Sequence, residues 1–116
     1  MKRIFIYLDD ERKLPHFWEI RLKKWGIDYM IFRDGQSLFE WLKNKPADTK
    51  VFVSFDHDLG TIETGYDLAK CIVANNIKID GFTTHSMNPV GAKNITELLT
   101  HYGYHKIGFA GEIAEL

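Results

Sequence analysis

Val51-Phe52-Val53-Ser54-Phe55-Asp56-His57-Asp58-Leu59-Gly60 runs from an almost wholly apolar segment straight into two carboxylates and an imidazole, and then breaks at glycine. The first half has the composition of a buried strand. The second half gives a core strand an end that packing alone does not call for. Charged groups there cost desolvation unless something pairs with them. In open α/β sheets the carboxyl ends of strands are where ligands bind. The stretch therefore predicts a central strand whose C-terminal end is a site.

Working outward, the same pattern recurs. Arg3 to Leu8 reads as the first strand and stops at Asp9-Asp10-Glu11-Arg12. Pro15 opens a helix to about Trp25, with Leu14, Trp18, Leu22 and Trp25 at helical spacing and Gly26 as its stop. Asp28 to Arg33 is the second strand, and Asp34 caps a helix through Asn44 whose core face carries Leu38 and Leu42; Ser37 is an alternative cap. After the third strand, Thr64-Gly65-Tyr66-Asp67 has the spacing of a capping box, with Leu68, Cys71, Ile72 and Asn75 expected on the buried face. Cys71 is read as core filler. Ile79 to Thr84 is the fourth strand, followed by His85-Ser86-Met87-Asn88-Pro89. Asn88-Pro89 opens a fourth helix with the stripe Ile95, Leu98, Leu99, Tyr102. Lys106 to Ala110 is expected as a short fifth strand, with no more than a turn of helix after it.

Strands alternating with helices predict one α/β domain over residues 1–116, a three-layer α/β/α fold around a five-stranded parallel sheet with right-handed crossovers. The flavodoxin-like order 2-1-3-4-5 makes the ends of strands one, three and four neighbours. A net charge of −1 offers no basic field for nonspecific DNA or RNA binding. The single cysteine excludes an internal disulfide, so a reducing, cytoplasmic setting is expected. The apolar run after Met1-Lys2-Arg3 is too short for a signal peptide, and no segment is long enough to cross a membrane.

Asp9 and Asp10 follow strand one, and Asp56 and Asp58 follow strand three. Two like charges about 4 Å apart repel by about 4 kcal/mol at an effective dielectric near 20, so such a group needs protons, arginine or a metal. Oxygen donors without thiolate point to Mg²⁺, or Mn²⁺ in its place. The competing reading is that Arg12 and Arg33 neutralise the acids as ordinary ion pairs. The start of the fourth helix, with Ser86, Asn88 and Gly91, offers free N–H groups to an anion. His57 and His85 stand at the same edge with the titration range of a general acid and base.

These residues resemble two related groups of proteins. The whole chain looks like a receiver domain of the two-component type. Asp9-Asp10 resembles its paired acids, Asp56 or Asp58 its phospho-accepting aspartate, and Ser86 its hydroxyl residue. The receiver's lysine after strand five is missing: Phe109-Ala110-Gly111 stands there, and Lys106 comes too early. A closer resemblance is to the cyclic-phosphate-processing receiver-like family. Its marks are an L-D-D-x-R-x-x-P start, an L-D-H-D-L-G-like centre and an H-S-x-N-P-x-G loop. Here they read Leu8-Asp9-Asp10-Glu11-Arg12-Lys13-Leu14-Pro15, Phe55-Asp56-His57-Asp58-Leu59-Gly60 and His85-Ser86-Met87-Asn88-Pro89-Val90-Gly91, with phenylalanine replacing leucine at 55.

That resemblance implies a metal-dependent phosphoesterase acting on a cyclic phosphate, such as a 2′,3′-cyclic nucleotide or RNA end. Asp9, Asp10, Asp56 and Asp58 would hold the metal, Arg12, Ser86, Asn88 and Gly91 would hold the phosphate, and His57, His85 and Asp56 would carry the chemistry. The alternative is a phospho-accepting or degenerate receiver acting as a signalling or binding module.

Overall fold

The computed structural model describes residues 2–116. In chain order the elements are β1 (Lys2–Leu8), α1 (His16–Lys24), β2 (Asp28–Phe32), α2 (Gly35–Asn44), β3 (Thr49–Phe55), α3 (Gly65–Ala74), β4 (Gly81–Thr84), α4 (Pro89–His101) and α5 (Ala110–Glu115). The strands form one parallel sheet in the order β2-β1-β3-β4.

Alternation along the two central strands divides the core into two layers. Ile4, Ile6 and Leu8 of β1, with Val51, Val53 and Phe55 of β3, face α2, α3 and α4. Phe5, Tyr7 and Phe52 face the other way, onto Leu22 of α1 and Ala110 and Ile113 of α5. Both strands are covered on both sides, which is why they read as nearly continuous apolar runs.

The expected fifth strand is reduced to a single bridge between Lys106 and Phe82. Phe82 N–H donates to the His105 carbonyl (2.9 Å) and Ile107 N–H to the Phe82 carbonyl (2.8 Å), so the chain starts to pair with β4. The Gly108 N–H is then taken by the Glu112 carboxylate at 2.9 Å, which draws the backbone into α5. Ile107 still fills the core at 1% exposure. The expected sheet order therefore holds for four strands.

Asp34, Thr64 and Asn88 all cap the helices assigned to them, each accepting a backbone N–H from the first turn. Ser37 lies inside α2 and donates back to Asp34. The expected face of α3 needs correction. Cys71 is exposed and Asn75 is the exposed C-cap, whereas Leu68, Ala69 and Ile72 are buried. Ala69 moves the centre of the stripe about one residue around the helix, leaving Cys71 on its rim. Trp25 and Tyr102 also emerge, at 51% and 58% exposure, because each sits at a helix C-cap where the chain turns away.

The α3 box is reciprocal: Thr64 Oγ1 accepts from Asp67 N–H and Asp67 accepts from Thr64 N–H. Thr64→Ala is expected to lower stability by about 1 kcal/mol, read as a shift of the urea midpoint at unchanged slope. The Thr64 N–H holds the Asp67 carboxyl below its ordinary value. The stability this contributes is present above the unfolded carboxyl range near pH 4 and drains as pH falls through the lower folded value. Asp67→Asn should flatten that part of the acid limb.

Candidate functional site

The parallel register builds the site. Leu8 is paired with Phe55, and Phe55 with Thr84. One residue further on, Asp9, Asp56 and His85 form the next row across three adjacent strands. Backbone bonds continue into that row: Asp9 N–H donates to Phe32, Asp56 N–H to Leu8 and His85 N–H to Phe55. Adjacent strands are about 4.8 Å apart, and successive side chains alternate between faces. All three side chains therefore emerge on the Tyr7 and Ser54 face. Ligating atoms of Asp9, Asp56 and His85 lie within 4.8 Å of one another.

The three groups are held differently. Asp9 is wholly buried. Its Oδ1 accepts the N–H groups of Glu11 (3.0 Å) and Arg12 (2.7 Å), while Oδ2 faces Arg12 Nε at 3.5 Å and His85 Nε2 at 3.1 Å. Burial pushes its carboxyl up, but donation from the Arg12 and Glu11 backbone and from His85 outweighs this and leaves it below the usual carboxylate value. Asp9 is thus ionised. Asp56 is 2% exposed; among the described residues no side-chain hydrogen bond or ion pair reaches its carboxylate, and the charge of Arg12 and the Asp58 N–H offset its burial only in part. Burial, and then the charge of Asp9, push the Asp56 carboxyl up.

His85 stacks on Tyr7 with ring centroids 4.1 Å apart, and its Nδ1 meets Ser54 Oγ at 2.7 Å. Burial lowers its basicity against the pull of Asp9. A neutral ring facing ionised Asp9 carries its proton on Nε2, so Ser54 donates to Nδ1.

Of the other residues singled out in the sequence, His57 sits on the first turn of α4. Its Nδ1 is 3.0 Å from Asp58 Oδ1 and 3.4 Å from Asn88 Nδ2, and its Nε2 has no hydrogen-bond partner among the described residues. A Cβ on Gly91 would lie 2.3 Å from His57 Cγ, so only glycine admits the ring there. Gly65 does the same at the foot of α3, where a Cβ would lie 2.0 Å from the Asp56 carbonyl oxygen. Asp58 is bound to His57 with its side chain 65% exposed, and the Asp10 carboxylate lies over Gly60. Both are outside the converging trio, although the sequence suggested all four acids as one metal set. Ser86 Oγ accepts from Asn88 N–H, and Asn88 Oδ1 from Gly91 N–H, which shapes the start of α4.

Of the two arginines weighed as neutralisers, only Arg12 meets an acid. Arg33 Nη1 donates to the carbonyls of Asp9 (3.1 Å) and Arg12 (2.7 Å), tying the loop after β1 to β2. Sequence reading passed over Ser54 and Tyr7. The signal for Ser54 was present: a hydroxyl two residues before Asp56, hence on its face, in an otherwise apolar strand.

The site meets a simple test for a cation. Two carboxylates and one imidazole converge, Arg12 pairs with Asp9, and Asp56 has no ion-pair partner of its own among the described residues. A divalent ion suits this donor set, although the fold alone does not require one.

The family described as cyclic-phosphate processing receiver domain matches residues 4–101. The chain belongs to this family. The match spans every element of this cyclic-phosphate-processing receiver domain that supplies a site residue and stops before the reduced fifth strand and α5. Among curated proteins none matches. Solved structures agree on the fold. The signal receiver domain of a Luxo repressor protein from Vibrio parahaemolyticus is 15% identical, with a TM-score of 0.67 over 99% of this chain and 86% of that one. A response regulator receiver protein from Pseudomonas putida is 17% identical, with a TM-score of 0.63 over 99% and 94%. The receiver domain of Francisella response regulator 1452 is 16% identical, with a TM-score of 0.59 over 97% and 96%. Among the described residues no helix is long and apolar enough to cross a membrane.

Proposed function

We propose that this domain is a divalent-metal-dependent phosphoesterase that opens a cyclic phosphate, with a 2′,3′-cyclic nucleotide or RNA end as the substrate class. The observation that carries this reading is the buried Asp56, without an ion-pair partner among the described residues, in one row with Asp9 and His85. A cation held there by the carboxylates of Asp9 and Asp56 would neutralise phosphate charge and make water more acidic.

The chain's own groups then have distinct tasks. Arg12, the Ser86 hydroxyl and the Val90 N–H, the one left open in the first turn of α4, hold the nonbridging oxygens. His57 is the proton carrier. Both ring nitrogens of His85 are engaged, whereas His57 has Nδ1 oriented by Asp58 and Nε2 free. In the reaction, water oxygen bonds to phosphorus and the bond from phosphorus to one sugar oxygen breaks. A water proton passes to Nε2 of His57, the departing sugar oxygen takes a proton from solvent and His57 returns its own to solvent, giving a phosphomonoester and a free hydroxyl. The exposed, unpaired Cys71 fits a reducing compartment, so the cytoplasm is the proposed location.

Incubation with 2′,3′-cyclic nucleotides and cyclic-ended RNA, with Mg²⁺, Mn²⁺ or EDTA, tests the reading by phosphorus NMR. Metal-dependent ring opening is expected, and His57→Ala should lower its rate by about 10²- to 10⁴-fold. Intact substrate under every metal would refute the proposal.

One observation favours a second reading. Asp56 directly follows β3, where receivers carry their phospho-acceptor, and no side-chain donor occupies it. An aspartyl-phosphate adduct on Asp56 after exposure to a small phosphodonor, seen by mass spectrometry, would favour a signalling role. The absence of a lysine at Phe109-Ala110-Gly111 speaks against it.

A further inference from the structure

We propose that His85 Nε2 is itself a metal ligand beside Asp9 and Asp56, with Ser54 as the residue that positions it, so that the site takes a first-row transition ion in preference to Mg²⁺. This rests on the reading that the cluster holds a cation, but not on any particular substrate.

The geometry supplies the argument. Ligands at about 2.1 Å from an ion, in neighbouring positions, stand about 3 Å apart. His85 Nε2 and Asp9 Oδ2 are 3.1 Å apart. Asp56 supplies the third donor within the same 4.8 Å group. Mg²⁺ favours carboxylate, carbonyl and water oxygens, whereas imidazole suits later first-row ions. One nitrogen among two carboxylates therefore shifts the site away from an all-oxygen set.

Ligation requires the Nε2 lone pair, so the ring proton must then sit on Nδ1. The partner of Nδ1 is the Ser54 hydroxyl at 2.7 Å, and a hydroxyl can donate or accept. Ser54 therefore satisfies the ring in both tautomers: as donor when Nε2–H faces Asp9, as acceptor when Nε2 holds an ion. Tyr7, stacked at 4.1 Å, keeps the ring plane fixed meanwhile. Ser54 is 1% exposed, so its hydroxyl has no role toward solvent. Partners of this kind behind a metal-binding histidine are worth about 10- to 100-fold in affinity.

The test uses the whole chain without substrate. Titration calorimetry with Co²⁺ and Mg²⁺ is compared for wild type, His85→Ala, Ser54→Ala and Ser54→Thr, and the Mn²⁺-loaded wild type is examined by electron spin echo spectroscopy. Imidazole nitrogen modulation is expected on Mn²⁺. His85→Ala should lose at least about tenfold in Co²⁺ affinity and less than about threefold for Mg²⁺. Ser54→Ala should lose about tenfold for Co²⁺, and Ser54→Thr should restore it. Equal losses for the two ions, an absence of nitrogen modulation, or no divalent binding at all would each overturn the proposal. Should His85→Ala fail to fold, the wild-type nitrogen signal decides. Nitrogen ligation without ring opening would leave this inference standing and remove the phosphoesterase reading. Ring opening with His85→Ala binding Co²⁺ like wild type would do the reverse.

Discussion

Asp56→Asn is expected to raise the melting temperature of the metal-free protein and to abolish its stabilisation by divalent cations. In the metal-free fold Asp56 is 2% exposed, next to ionised Asp9, with no side-chain donor within reach among the described residues. Its burial and the Asp9 charge are offset only in part by Arg12 and the Asp58 N–H, and an incompletely compensated buried polar group costs up to about 1 to 3 kcal/mol. Asparagine keeps the shape and removes the charge. The gain should be a few degrees, at about 4 to 8 °C per kcal/mol for a domain near 100 residues. A ligand at about 100 times its Kd adds about 2.7 kcal/mol to a fold that binds it. Wild type should gain this with Mn²⁺, and Asp56→Asn should gain nothing. Thermal melts with and without Mn²⁺ read both effects. A variant that melts below wild type and still responds to Mn²⁺ would show that Asp56 is structural.

Gly91→Ala should instead be disruptive, for a steric reason. The added Cβ would fall 2.3 Å from Cγ and 2.5 Å from Cδ2 of His57. Real Cβ atoms do not approach a ring that closely, so either the imidazole leaves or α4 shifts. Overpacking of this kind costs about 1 to 3 kcal/mol. Because the clash is with a single side chain, a double-mutant cycle isolates it. Gly91→Ala should cost its full amount in wild type and less than about 0.5 kcal/mol in a His57→Ala background. On cyclic phosphate, Gly91→Ala should lose about as much rate as His57→Ala, and the two together should lose no more than either alone. Additive losses would mean that Gly91 acts on the backbone of α4 and not through His57.

Much of this molecule could be read before any coordinate. The alternation of apolar strands with capped helices is local. Asp34, Thr64 and Asn88 cap where they do because a short side-chain oxygen satisfies backbone N–H groups two or three residues ahead, an interaction within one turn. The central strands are legible because burial on both faces makes them continuously apolar. The fifth strand was not legible, because its fate turns on a competition: Phe109, whose N–H the next rung of a longer β4 ladder would use, is instead the N-cap of α5. Cys71 was misplaced for a related reason. One alanine, Ala69, rotates the buried stripe of α3, and alanine carries little hydrophobic signal of its own.

The amino-acid order alone determined that acids and histidines would stand at the C-terminal ends of three strands, since each such residue directly follows an apolar run. It also set the sheet order, because right-handed crossovers leave few ways to wind alternating strands and helices. Which of those polar residues meet was decided only in three dimensions. Strand register, a long-range property, puts Asp9, Asp56 and His85 in one row and sends Asp58 outward to His57. Ser54 and Tyr7 gain their places behind His85 in the same way, because alternation assigns a face but only pairing across strands assigns a neighbour.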